Sequence, residues 1–478
     1  MMNVLKGFIW KILQQYSTYF MKLAFQVILA RILSPNEFGI LAEILVFITV
    51  AEAFANGGFG TALIQKKDAD AIDFGTSIIS SFIISIFLYL VIFFTSPAIA
   101  KFYAEEELVP LLRIFGLSIP FYSFNSIQNA YLLKKYETKA MFFSSFVSTV
   151  LSGGISVYFA YKDRNAFSLV LQSFLYTLFN VIGLLLLTKW KPKIIFSSIS
   201  FKSLFSFSWK MVLSNVLGNV LENIYNLFIG KSYNSEILGY YNRGNSFPSI
   251  LIGQLRTAIS TVTLPYFSSN QERRESLIKH VKKITHLSVL IMFPIAFGLA
   301  AISEPLVRLL LTDKWLPCVF FIRLECIFYG FLPIAASVSN GMISIGRSDL
   351  NLKVEGIKFF LTLLTILFTG KQSIEILCIS RVIISILMIL ITVIFSRKVI
   401  GYGFKTLFND IFTPFMLSLG MGVICYFWGN FFENLILKVI TEVILGFLIY
   451  GISCFLFLKD DILEFKNIIL NYMNSKSE

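Results

Sequence analysis

The sequence predicts an all-α polytopic membrane protein built from two copies of one large helical module. Three observations carry that prediction. Hydrophobic residues make up 56% of the chain and charged residues only 14%, with a mean hydropathy of +0.75; a water-soluble domain needs more polar surface than that. Apolar stretches of ~20 residues, the length that crosses a bilayer as a helix, recur along the whole chain. Finally, the second half repeats the first at an offset of about 200 positions, far longer than a solenoid unit. Gly39 falls on Gly239 and Arg31 on Lys231, while Gln15, Lys22 and Gln26 fall on Asn215, Glu222 and Asn226.

Taken in order, the first set of spans covers residues 10–33, 39–64, 76–95, 108–133, 139–161 and 166–188. A long basic connector is expected over 189–205. The second set covers 206–231, 238–266, 284–303, 316–345, 353–369 and 372–396, and a further pair covers 411–429 and 435–458. The expectation is about fourteen transmembrane helices: two parallel six-helix repeats plus a C-terminal helix pair. The corresponding domains are 1–195, 196–400 and 401–458, followed by a cytoplasmic amphipathic tail, 459–478, in which Ile462, Phe465, Ile469 and Tyr472 recur at near-helical spacing.

The net charge of +13 implies topology rather than a nucleic-acid partner. The even-numbered connections carry Lys66 and Lys67; Lys134, Lys135 and Lys139; Lys189, Lys191, Lys193 and Lys202; Arg273, Arg274, Lys279, Lys282 and Lys283; and Arg397, Lys398 and Lys405. The odd-numbered connections are sparser. By the positive-inside rule both termini and the even connections face the cytoplasm. Lys6 and Lys11 precede the first apolar stretch without a small-residue cleavage site after it, so that stretch is expected to stay in the membrane.

Polar residues inside the spans are the candidate site. Asn215, Asn219, Glu222 and Asn226 share one face of the seventh span, and Gln15, Tyr19, Lys22 and Gln26 repeat that stripe in the first. An ionisable group at mid-bilayer costs about 2.5–3.5 kcal/mol, so such groups face a wet cavity or one another. The plainer reading is amides pairing across packed helices, worth ~0.6 kcal/mol each; matching stripes in both repeats favour the cavity. Glu52 and Asn56 add to one face of the second span, while Arg243 and Arg256 occupy the repeat positions of Glu43 and Asn56. Arg243 either lines the cavity or snorkels outward. Arg381 is a further intramembrane cation, and Arg323 and Glu325 read as a pair that neutralises itself. Lys22, Arg256 and Arg381 would suit an anionic substrate such as a pyrophosphate. Glu52 and Glu222 are the titratable candidates for ion coupling.

Other motifs are weak. Asp68-Ala-Asp70 has the DxD form of some sugar-nucleotide transferases, but without a surrounding α/β domain it reads as a charged loop. No P-loop sequence occurs. The five cysteines (Cys318, Cys326, Cys378, Cys425 and Cys454) lack any CxxC pair and read as core or lipid-facing residues. His280 and His286 read as solvated residues near a basic loop. No cofactor and no metal are expected, nor any loop that would house enzyme chemistry.

The runs ARILSPNEFG (30–39) and FANGGFGTALIQKKD (54–68), with Leu238-Gly239-Tyr240-Tyr241-Asn242-Arg243 as a second-half counterpart, resemble the signature of bacterial polysaccharide exporters. These are lipid-linked repeat-unit flippases of the multidrug/oligosaccharidyl-lipid/polysaccharide exporter superfamily, here closest in look to the colanic-acid, teichuronic-acid and O-antigen branch. The resemblance implies a cavity lined by spans one, two, seven and eight. It implies an inner-membrane flippase, not an enzyme, that moves undecaprenyl-pyrophosphate-linked oligosaccharide between leaflets by alternating access. Lys22, Gln26, Asn56, Asn215, Asn219, Asn226, Arg243, Arg256 and Arg381 would then contact substrate, with Glu52 and Glu222 coupling ions. Expected partners are the lipid-linked oligosaccharide, membrane lipid and a polysaccharide polymerase, with no nucleic acid, and the chain is expected to act as a monomer. The alternative within the superfamily is a cation-coupled multidrug exporter, which the acidic groups and the 16% aromatic content would suit and the buried cations would not.

Overall fold

A computed structural model describes residues 2–188, 190–256, 259, 263, 266, 267 and 274–459. Its regular structure among those residues is helical throughout. The helices are α1 (Met2–Ile32), α2 (Pro35–Ala55), α3 (Phe59–Gln65), α4 (Ala71–Tyr103), α5 (Leu108–Gly116), α6 (Ser118–Lys134), α7 (Thr138–Asp163), α8 (Phe167–Leu187), α9 (Ser198–Ser232) and α10 (Ser235–Pro248). They continue, after a π-helical turn over Ser249–Gly253, as α11 (Arg274–Leu310), α12 (Cys318–Ser344), α13 (Ser348–Thr369), α14 (Ile374–Val399), α15 (Phe404–Trp428) and α16 (Leu435–Phe457). The described chain divides into two compact units, residues 1–242 and 243–478.

Ten described helical stretches are long and apolar enough to cross a membrane. Three further helices miss that mark for a physical reason. Lys22 and the glutamines interrupt α1, the asparagines and Glu222 interrupt α9, and Lys353, Glu355 and Lys358 charge the first half of α13. The outward faces confirm the solvent: Phe87, Phe94, Phe360, Leu367, Phe447 and Phe455 are all more than half exposed, the reverse of a water-soluble surface.

Side-chain caps set where several helices begin. Asp70 and Asp73 form a reciprocal capping box at the start of α4, so the DxD run serves the helix terminus. Ser197 caps α9 through the Ser200 amide. The connector is therefore shorter than the sequence suggested: residues 198–205 are already helical, because the cap satisfies an amide that a loop would have left to water. Two expected spans are also broken. The second divides at Asn56-Gly57-Gly58, where both glycines take left-handed backbone angles (φ +57° and +64°), which side-chain-bearing residues rarely adopt. The fourth divides at Leu117, between α5 and α6. The amphipathic tail expected over 459–478 lies, apart from Lys459, outside the described residues, as do Lys189 and Arg273.

In the first unit, Ile44, Ile48, Leu112, Phe115, Ile119 and Val170 form a core between α2, α5, α6 and α8. The first turns of α2 and α10 cross at backbone distance. A Cβ on Gly39 would sit 1.6 Å from the Ser235 carbonyl oxygen, and one on Gly239 would sit 1.9 Å from the Pro35 carbonyl oxygen. The contact is reciprocal under the repeat offset, since Pro35 maps to Ser235 and Gly39 to Gly239. Glycine at both places is what allows so close an approach. In the second unit, Phe293, Ile334, Val338, Ile389, Val393 and Leu407 pack α11, α12, α14 and α15 together. All five cysteines are buried. The two histidines are not loop residues: both lie within α11, and His286 Nδ1 is 2.7 Å from the Asp410 carbonyl oxygen, because α11 begins ten residues before the apolar run that marks the span.

Candidate functional site

Among the described polar groups of the first unit, two connected sets and one cation stand out. The cation is Lys22, two-thirds of the way along α1. Its ammonium lies 4.1 Å from the ring centroid of Tyr176 on α8, and no carboxylate pairs with it among the described residues. A cation over an aromatic face keeps its charge available while gaining about 0.5–2 kcal/mol. Gln26 lies one turn further on, half-buried.

The first connected set is an amide chain through α1, α7, α8 and α6. Gln14 Nε2 donates to Ser145 Oγ at 2.8 Å, and Asn180 Nδ2 donates to the same oxygen at 3.1 Å. Asn125 Nδ2 donates to Asn180 Oδ1 at 2.7 Å, and Asn129 Nδ2 to Asn125 Oδ1 at 2.8 Å. Sequence reasoning passed over these residues. The signal was present in the cluster Asn125, Gln128 and Asn129 in an otherwise apolar span, but only packing joins it to Asn180 and Gln14.

The second set is an asparagine ladder. Asn223 Nδ2 donates to the Asn219 carbonyl at 2.9 Å and lies 3.4 Å from Thr49 Oγ1 of α2. Asn226 Nδ2 donates to Asn223 Oδ1 at 3.1 Å, and Asn242 Nδ2 of α10 donates to Asn226 Oδ1 at 3.2 Å. Asn226 thus ties α9 to α10. Asn215 and Glu222 remain exposed on α9. Beside the ladder, α2, α4 and α9 border an open apolar pocket of about 340 Å³ lined by Phe47, Phe54, Leu88, Val91, Val220 and Leu227.

On α2, Asn56 follows the last helical turn and its Oδ1 accepts from Ser126 Oγ of α6 at 2.6 Å, which secures the helix break. Glu52 is half-buried one turn before it. Glu43, absent from the expected site, is almost wholly buried and accepts from Ser235 Oγ at 2.9 Å, beside the Gly39–Gly239 crossing.

Residues 28–320 match the family model described as polysaccharide biosynthesis protein, which is more than half of the chain. The chain belongs to this family of polysaccharide exporters. Among its relatives, the exporter is 26% identical over 383 residues to the teichuronic acid biosynthesis protein TuaB of Bacillus subtilis, covering 79% of this chain and 78% of TuaB. Its fold is that of the multidrug/oligosaccharidyl-lipid/polysaccharide exporter superfamily. The structure titled lipid II flippase MurJ, inward closed conformation, matches with a TM-score of 0.75 at 18% identity, over 94% of this chain and all of that one. An inward-facing multidrug resistance MATE transporter matches less well, with a TM-score of 0.60 at 13% identity over 82% of this chain and 98% of the other.

The second unit of the exporter treats its cations differently. Arg381 on α14 forms an ion pair with Glu325 on α12, and its guanidinium also lies 4.2 Å from the Phe328 ring. The pairing expected between Arg323 and Glu325 is absent. Residues two apart point to opposite faces of a helix, so Arg323 turns instead to Ser303 Oγ at 3.2 Å and toward the Tyr426 ring. Arg243 is 4% exposed and sits against the Trp315 ring at 5.4 Å, rather than reaching outward. Arg256 is half-buried just beyond the π-helical turn.

Proposed function

We propose that the exporter is a flippase that carries undecaprenyl-pyrophosphate-linked oligosaccharide repeat units from the cytoplasmic to the outer leaflet for surface polysaccharide synthesis. Lys22 is the observation that carries this reading. It is a cation inside the first long helix, held over a tyrosine ring and, among the described residues, left without a carboxylate, as a group that receives phosphoryl oxygens would be. Gln26, Asn215, Asn219 and Arg256 would add hydrogen-bond donors and acceptors for sugar hydroxyls. Asn56 and Asn226 would act through the helix break and the ladder that they secure. In this reading Arg381 and Arg243 hold the second unit together, since each already has a close partner. The printed names of the relatives support the reading: TuaB serves teichuronic acid biosynthesis, and MurJ is titled a lipid II flippase.

Transport would proceed by alternating access, with Glu52 and Glu222 as the coupling groups and both termini cytoplasmic in the inner membrane of a bacterium. If coupling runs through them, Glu222→Gln changes the pH or sodium dependence of transport; an unchanged dependence removes Glu222 from that role.

The decisive experiment is a deletion strain in which the leaflet holding the lipid-linked oligosaccharide is assayed. Accumulation on the cytoplasmic face with loss of surface glycan, both reversed by the wild-type gene, is the expected result. Intact surface glycan with altered drug sensitivity would transfer the protein to the multidrug reading.

A further inference from the structure

Where α3, α4 and α6 meet the connector before α9, three loops close around a cavity of about 480 Å³. Its rim carries Lys67, Lys134, Lys135, Lys191 and Lys193 against a single carboxylate, Asp70. The floor is aromatic. Trp190 stacks on Tyr131 with centroids 4.9 Å apart and planes 18° from parallel, and Phe74 meets both rings edge-on.

The cavity is built rather than incidental. The connector is seated on α4, because a Cβ at Gly75 would lie 2.2 Å from the Lys193 carbonyl oxygen, and the Ser197 amide donates to Thr76 Oγ1 at 3.0 Å. Lys134 donates to the Lys66 and Lys67 carbonyls, which pins the second loop to the first. The charge is also uncompensated. Lys66 takes Asp73 at 2.7 Å, and Asp70 Oδ1 accepts from the Asp73 amide. Among the described residues, no carboxylate forms an ion pair with Lys67, Lys135, Lys191 or Lys193. Topology alone puts lysines in loops on one side. It does not bring three loops together as one concave basic site with a stacked Trp–Tyr floor.

We propose that this cavity binds the phosphate headgroup of an acidic phospholipid. It opens at the ends of membrane helices, where Trp and Tyr mark the interface and where lysines between helices recognise anionic headgroups. The inference concerns a site apart from Lys22 and does not depend on what the exporter transports.

The test uses the full chain, purified, delipidated and titrated with phosphatidylglycerol or cardiolipin against phosphatidylcholine, with retained lipid counted by native mass spectrometry. Wild type retains the acidic lipids preferentially. The Lys67→Gln/Lys193→Gln variant loses that retention by on the order of tenfold, while Lys67→Arg/Lys193→Arg keeps it. A control pair in another basic loop, Lys398→Gln/Lys405→Gln, leaves it unchanged; all variants are compared at equal thermal stability. Equal loss in the control, or no preference over phosphatidylcholine, overturns the proposal. A second arm titrates inorganic pyrophosphate and glycerol phosphate. Binding of these that the Lys67/Lys193 variant abolishes, without lipid retention, would make the ligand a soluble phosphate compound and overturn the lipid assignment.

Discussion

Lys22 in the first unit and Arg381 in the second are both cations within long helices, yet their surroundings have opposite logic. Arg381 meets Glu325 at an ion pair whose side chains are 16% and 5% exposed. Lys22 lies over the face of Tyr176 and, among the described residues, pairs with no carboxylate. A buried pair neutralises itself and locks two helices, here α12 and α14, whereas a cation on an aromatic ring keeps a field that an anion can use. Two sequence positions that look alike as intramembrane charges therefore sit in different electrostatic settings, and the partner decides which.

The comparison breaks most visibly at Arg381. Arg381→Ala strands Glu325 in the interior and is expected to destabilise the exporter by about 3–5 kcal/mol, read as lost expression or a lower Tm. Arg381→Met with Glu325→Leu should recover most of that stability, because it removes both charges together. A double variant as unstable as the single one would mean that the pair is not the source of the effect. Next comes the glycine crossing. Gly39→Val places side-chain carbon where the Ser235 carbonyl lies, an overpacking that costs about 1–3 kcal/mol or forces α2 and α10 apart. Crosslinking between cysteines introduced on those two turns should fall accordingly.

Lys22→Gln should change stability by no more than about 2 kcal/mol but reduce export by at least about tenfold, the equivalent of one lost charge-assisted hydrogen bond. Lys22→Arg should be milder. Normal export in Lys22→Gln would align Lys22 with Arg381 as a structural cation. The smallest effect is expected at Asp70→Ala, which removes one half of a capping box for about 1 kcal/mol of stability and leaves export intact. Export lost at unchanged stability would return Asp70 to the functional candidates.

Much of the fold was legible because membrane helices are written as long apolar runs, and nearly every interruption of such a run here has a structural meaning. The Asn56-Gly57-Gly58 weakness became the α2–α3 break, and the Asp68-Ala-Asp70 loop supplied the cap of α4. The stripe on α9 was legible for the same reason. Its bonding was not: Asn223 lies off the stripe by helical geometry, yet it is the residue that joins Asn219, Asn226 and Thr49. The Gln14–Ser145–Asn180–Asn125 chain draws on four helices, so no local pattern announces it.

By itself, the sequence determined the solvent, the helical class, the family and the repeat that sets Gly39 against Gly239 in register. The solvent, the helical class and the repeat follow from composition and periodicity and the family from its signature runs, all of them properties of the chain as written. The tertiary structure alone decided that the matched glycines touch through their neighbours' carbonyls, that Glu325 belongs to Arg381 and not to Arg323, and that lysines from three loops share one cavity. Each of these depends on which side chains meet across helices, and in a hydrocarbon solvent that is settled by packing and by pairing of polar groups, not by the hydrophobic pattern along any one helix.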